Sequence, residues 1–223
     1  MNNGKSTTAY IIAVVVMIVG AVFLFRGFKE KSLVDKGFED YNELSYKDVE
    51  DGMLVEGEFY YGYGTFAEEY ETTYGIRLSD DSEVLYYVVE AGNEEEMETL
   101  EYRYVGFKAT PSWFDKMDEL TDETDEYFLD EDAPEPTPVK FTAKVSDMSD
   151  ELYGYMEEAF LEQGIEKSEM DYYLHPVILT PYNEEGYKAY LIVGAIGVAI
   201  GVVVLVIAFA INSKKKKAED VYY

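Results

Sequence analysis

TAYIIAVVVMIVGAVFLFRGF at positions 8–28 and AYLIVGAIGVAIGVVVLVIAFAIN at 189–212 decide how this chain is organised. Lys5 and Arg26 bracket 20 uncharged residues, and Lys188 and Lys214 bracket 25. At about 1.5 Å per helical residue, each run spans a hydrocarbon core of about 30 Å. Both therefore read as transmembrane helices, with a short segment at 1–7, one domain at 29–188 and a basic tail at 213–223. Neither span holds an ionisable residue in its uncharged stretch, which argues against an ion path or proton relay built from this chain alone.

Between the spans, residues 29–188 carry 44 Asp and Glu against 12 Lys and Arg, a formal charge of −32. A field of that sign disfavours nucleic acid and anionic lipid headgroups as ligands and leaves cationic partners and metal ions as the permitted direction, and the acidity itself reads as solvated surface that keeps the domain soluble. The chain has no cysteine. Disulfides, zinc–thiolate sites and thiol catalysis are thereby excluded. The run at 8–28 ends in Phe23-Leu24-Phe25-Arg26 without a small-residue cleavage pattern, so it reads as an uncleaved anchor. Lys214 to Lys217 follow the second span directly and place both termini on the cytoplasmic side, with the domain outside. Gly194, Gly197 and Gly201 form a small-residue face on the second span, the last two as GxxxG. That face suits either self-association or packing on the first span through Ala13, Gly20 and Ala21.

In the domain, alternation predicts a strand over 53–63, others over 84–89, 99–109, 139–145 and 174–179, and a possible partner strand over 70–78. Ser112 with Asp115 predicts the start of a short helix. The acidic, Pro-rich stretch 121–138 reads as an exposed loop, and Ser149 caps a helix ending at Gly164. Residues 29–51 read as a stalk. Short strands with one or two short helices point to an α+β, mainly-β domain of the OB-like barrel type.

His175 is the only histidine and cannot by itself supply a triad or a transition-metal site. Asp122 to Glu126 with Asp130 to Asp132 offer oxygens for calcium but lack the EF-hand spacing, so they read as solvated charge. No catalytic, metal-binding or cofactor-binding residue is assigned, and no cofactor is expected. Tyrosine is abundant, at 22 residues. The strand pairs Tyr60-Tyr61 and Tyr86-Tyr87 are candidates for an aromatic contact surface, one ring of each pair facing water.

Asp48-Val49-Glu50-Asp51-Gly52-Met53-Leu54-Val55-Glu56-Gly57, Phe66-Ala67-Glu68-Glu69-Tyr70 and Val139-Lys140-Phe141-Thr142-Ala143-Lys144-Val145 together resemble an uncharacterised family of Gram-positive bacterial membrane proteins. That resemblance implies two spans flanking one extracytoplasmic domain, and no chemistry. The partners expected are the lipid bilayer, a membrane or envelope protein, and a second copy of the chain. The function expected is a non-enzymatic binding module. Its rivals are an accessory subunit of a transport or secretion complex, and a hydrolase using acidic residues.

Overall fold

The computed structural model describes residues 3–70, 72–73, 76–77 and 83–219. They form two units, 37–182 and the pair of terminal segments 1–36 and 183–223.

The terminal unit is a hairpin of two helices, α1 (Asn3–Val34) and α6 (Gly186–Glu219). They run antiparallel, with Gly20 opposite Gly197 and Ala13 opposite Gly201. Glycine is required there by distance. A Cβ on Gly20 would lie 2.7 Å from the Val198 nitrogen, and one on Gly194 would lie 2.7 Å from the Leu24 nitrogen. Close backbone approach of this kind is what small residues permit where apolar solvent gives helices no drive to associate. Around the rest of both helices Ile11, Ile18, Phe25, Ile196, Val203 and Phe209 stand exposed.

In the central unit the chain order is β1 (Glu39–Asp40), a 3-10 turn (Tyr46–Asp48), β2 (Leu54–Phe59), β3 (Gly62–Glu69), β4 (Thr72–Thr73), β5 (Ile76–Arg77), β6 (Val84–Ala91), α2 (Glu94–Thr99), β7 (Arg103–Ala109), α3 (Pro111–Leu129), β8 (Val139–Asp147), α4 (Asp150–Glu162), a second 3-10 turn (Lys167–Glu169), α5 (Met170–Tyr173) and β9 (Leu174–Pro181). Seven strands make one mixed sheet in the order β1-β2-β8-β9-β7-β6-β3, and β4 with β5 makes a separate ribbon. β1–β2 and β7–β9 are parallel, and the other pairs in the sheet are antiparallel.

The expected OB-like barrel is overturned. Among the described residues no ladder joins the β1–β2 side of the sheet to β3, so the sheet is open, and the same residues form six α-helices, four of them in this unit. The sheet is nonetheless strongly coiled. Only Tyr60 and Tyr61 separate β2 from β3, which lie toward opposite ends of the strand order, and three residue steps reach about 11 Å at most. The Tyr41 hydroxyl bridges the same gap by donating to the Glu90 carbonyl at 2.7 Å.

One face of the sheet encloses the main core. Phe59 stacks on Phe141 with ring centroids 3.9 Å apart, Phe107 meets Phe59 edge-on at 5.0 Å, and Met117 and Leu120 of α3 pack into the same cluster. The opposite face is covered by α4 and α5, whose Met156, Phe160 and Met170 pack on Tyr86, Val88 and Ile178. Gly106 permits this second layer, because a Cβ there would meet Ile178 Cδ1 at 2.4 Å.

Several boundaries differ from expectation. The predicted strand 53–63 is broken at Tyr60-Tyr61. The start of the predicted strand 99–109 is instead the end of α2, which Asn93 and Glu96 close with a reciprocal capping box. The helix after Pro111 has Thr110, not Ser112, at its N-cap and runs 19 residues, so the acidic stretch expected as a loop is helical as far as Leu129. Residues 70–78 fall partly outside the described residues; those described form the β4–β5 ribbon, and β6 pairs with β3 and β7 instead. Of the terminal segments, residues 1–2 and 220–223 lie outside the described residues.

Candidate functional site

On the α4–α5 side of the sheet a cleft of about 450 Å³ opens beside β3, β6 and β7. Pairing fixes its floor. Glu90 on β6 lies opposite Tyr104 on β7 and so shares that face of the sheet, and Val88, two residues back, shares it too. Tyr63 enters from β3, next to β6. Its ring meets Tyr104 edge-on at 5.1 Å, and Tyr104 in turn lies 5.1 Å from Phe160 of α4. Gly164, with φ of +90°, ends that helix and turns the chain so that Ile165 closes one wall, and Tyr173 of α5 supplies another. Asp125 of α3 and Glu162 of α4, both exposed, stand at the rim.

The polar chemistry of the floor centres on Glu90. The Tyr63 hydroxyl donates to the Glu90 carboxylate. Burial pushes the Glu90 carboxyl above its usual range, and the hydrogen bond from Tyr63 opposes that shift. Burial likewise pushes the Tyr63 phenol far up, with the neighbouring Glu90 charge adding to it. The hydroxyls of Tyr102 and Tyr104 lie 3.3 Å apart. A second depression, broader and shallower, is bounded by Glu56, Tyr60, Trp113 and Lys140 on the far side of the coiled sheet.

The aromatic candidates part company. Tyr60 is 47 % exposed, and Tyr61 is half-buried with its ring 5.5 Å from Phe128. Tyr86 and Tyr87 are 2 % and 1 % exposed, so they are core and not an exposed contact surface. The reason is that this sheet is covered on both faces, which removes the in–out alternation a half-solvated strand would have. Their hydroxyls end on Glu69 and Asp118. Gly194, Gly197 and Gly201 are brought together against α1 of the same chain. His175 lies apart from the cleft, its Nε2 3.0 Å from the Val49 carbonyl and its ring edge-on to Tyr46. Asp122 to Glu126 are carried on α3, and among the described residues no group of three His, Cys, Asp or Glu is placed to hold a metal ion.

As members of one site, Tyr63, Glu90, Tyr104 and Phe160 carry no joint signal in the sequence, and Tyr173 stands out there only as part of the pair Tyr172-Tyr173. One signal was available: Glu90 closes the apolar run from Val84 to Val89, where an acid marks a buried, partnered carboxyl.

Two apolar helices that flank an α+β domain in the sequence define a class of architecture, and the family follows from comparison. Residues 3–212 match the family described as domain of unknown function DUF8577, and the chain belongs to that family. No curated protein and no solved structure matches the chain.

Proposed function

We propose that this chain is a two-pass membrane protein of the Gram-positive cell envelope, with both termini cytoplasmic and the 37–182 domain outside, acting as a non-enzymatic binding module. The observation that carries the reading is the aromatic-walled cleft on a domain tethered through both of its ends. The anchoring part draws on Thr8–Val34 and Gly186–Ser213, which are long and apolar enough to cross a membrane and whose most apolar windows are only 11 % and 17 % buried by protein. The core helices of a soluble fold would be mostly covered; these leave their apolar faces to another medium. The orientation draws on the lysine cluster at 214–217.

The test is amine-directed crosslinking in intact cells with a reagent that cannot pass the bilayer, followed by mass spectrometry. Lys140 and Lys167, whose side chains are 85 % and 77 % exposed, are the reporters. Modification of both in intact cells, with a captured neighbour, is the expected result. Modification only after permeabilisation reverses the orientation. Full modification with no captured neighbour removes a protein partner and leaves the module reading to direct ligand titration.

A further inference from the structure

We propose that the cleft beside Glu90 binds a small organic cation through its alkylammonium group. This rests on the binding-module reading and names the chemistry of its ligand.

Three observations converge. The first is the arrangement of rings. Tyr63 and Tyr104 stand at an interplanar angle of 83° and Tyr104 and Phe160 at 59°, with Tyr173 on a further wall, so the cleft presents π-faces and edges from several directions and not one flat stack. Rings set around a cavity in this way stabilise a cation that cannot form a full hydrogen-bond shell, because each electron-rich face attracts positive charge at about 6 Å or less from its centroid. The second is charge. Asp125 and Glu162 stand at the mouth, the Glu90 carboxyl lies behind the Tyr63 hydroxyl, and no Lys, Arg or His is among the described residues lining the cleft. Tyr63 donates its proton toward a carboxylate, which makes its ring a richer π-donor. The third is size. At about 450 Å³ the cleft falls within the range of about 300–1,000 Å³ of small-molecule sites and is too confined for a folded partner.

Other ligand classes fit less well. Anions meet the acidic groups at the rim. A bare metal ion requires several converging oxygens, and no such group occurs among the described residues. A neutral apolar ligand would fill the walls but would leave the two rim carboxylates without a role.

The experiment uses the full chain in nanodiscs of phosphatidylglycerol, which carries no quaternary ammonium, and titrates choline and its neutral carbon isostere 3,3-dimethyl-1-butanol by calorimetry. Saturable choline binding at one site, at least about tenfold tighter than the isostere, is expected from the loss of cation–π attraction. Tyr104→Leu keeps an apolar wall but removes a ring, and should weaken choline by about tenfold while leaving the isostere nearly unchanged. The paired exposed change Asp125→Asn with Glu162→Gln leaves the core untouched and should weaken choline several-fold, with a smaller dependence on salt. Equal binding of both probes, indifference to both variants, or no choline binding by the unchanged chain each overturns the assignment. Repeating the titration in phosphatidylcholine discs separates two sources of the same chemistry: unchanged affinity means a free solute, and lost affinity means a lipid headgroup, which overturns the small-molecule form of the proposal. Failure here with successful capture by the impermeant crosslinker leaves the binding module standing with a different ligand; failure of both experiments removes the module reading itself.

Discussion

Raising the pH should unfold the central domain cooperatively between about pH 11 and pH 12, driven by buried tyrosine hydroxyls. Burial pushes the Tyr41, Tyr63 and Tyr104 phenols well above their usual value of 10.0, with the Glu90 charge adding in each case. In the folded state each keeps its proton through this range; in the unfolded chain each ionises near pH 10. The folded state thus binds more protons above pH 10, so stability is complete below that pH and falls as pH rises. One such group costs about 1.4 kcal/mol at pH 11 and about 2.7 kcal/mol at pH 12. Counting Tyr41 fully and Tyr63 and Tyr104, which both line the open cleft, at half, the loss is about 2.8 kcal/mol at pH 11 and about 5.4 kcal/mol at pH 12. A domain of this size holds about 5–15 kcal/mol in total, so the sum reaches the threshold within that unit of pH. Tyr86 and Tyr87, raised by burial and by their acidic partners, act in the same direction and are left out of the sum. The assay pairs tyrosinate absorbance at 295 nm with the emission maximum of Trp113, the only tryptophan, whose ring packs 5.2 Å from Phe107 in the main core. A late, steep step in absorbance coinciding with a red shift of Trp113 is expected. A smooth titration of all tyrosines near pH 10, with Trp113 emission unmoved to pH 12, would refute the reasoning.

Three further outcomes follow from particular contacts. A Cβ at position 201 would lie 3.3 Å from the Met17 Cβ, close to disulfide geometry, so Met17→Cys with Gly201→Cys in this cysteine-free chain should oxidise to an internally bridged monomer. Adding Gly20→Ile should suppress that bridge, and a covalent dimer on a non-reducing gel would show instead that the glycine face joins two chains. Arg103 is held between Tyr46 and Tyr172, its guanidinium 4.3 and 4.4 Å from the ring centres, while donating to the Glu101 and Tyr102 carbonyls. Arg103→Lys should therefore cost about 1–2 kcal/mol, read from the urea midpoint of Trp113 emission, and an unchanged midpoint would count against a structural clamp. Because Glu90 holds its proton to higher pH when folded than when unfolded, it lowers stability as pH rises through and above the ordinary carboxylate range. Glu90→Gln should flatten the dependence of Tm on pH between about 4 and 7 and melt no lower than the parent at pH 7, whereas parallel profiles for the two proteins would remove Glu90 from that role.

What could be read before folding and what could not divide along physical lines. The two apolar helices were legible because an uncharged run of that length has few alternatives, and the β6, β8 and β9 strands because β-branched and aromatic residues cluster between turn residues. The extent of α3 was not. Its 121–129 half is rich in acids, and Thr124 is the one residue of that half that is buried. Strand alternation also misled at Tyr86-Tyr87, since a sheet covered on both sides buries successive side chains alike. The open, coiled sheet was beyond local reading, because the break at Tyr60-Tyr61 sends two consecutive strands toward opposite ends of one strand order. The cleft is assembled from β3, β7, α4 and α5, segments up to 110 positions apart, so no window of sequence contains it.

The pairing of β2 with β8 bears on how the domain is made. Leu54 faces Lys144 across the ladder, so the second strand to be synthesised has only the two-residue β1 beside it, and its β8-facing edge stays open until 90 more residues have been added. At about 5–20 residues per second that wait is about 5–18 s, far longer than the closure of a loop or hairpin. During that interval Val55 and Phe59, which end with 0 % and 2 % exposure, belong to an unpaired apolar edge on a nascent chain. The acids that alternate with them, Glu56 and Glu58, then act as gatekeepers against association between neighbouring nascent chains, a service to translation that the finished fold no longer needs.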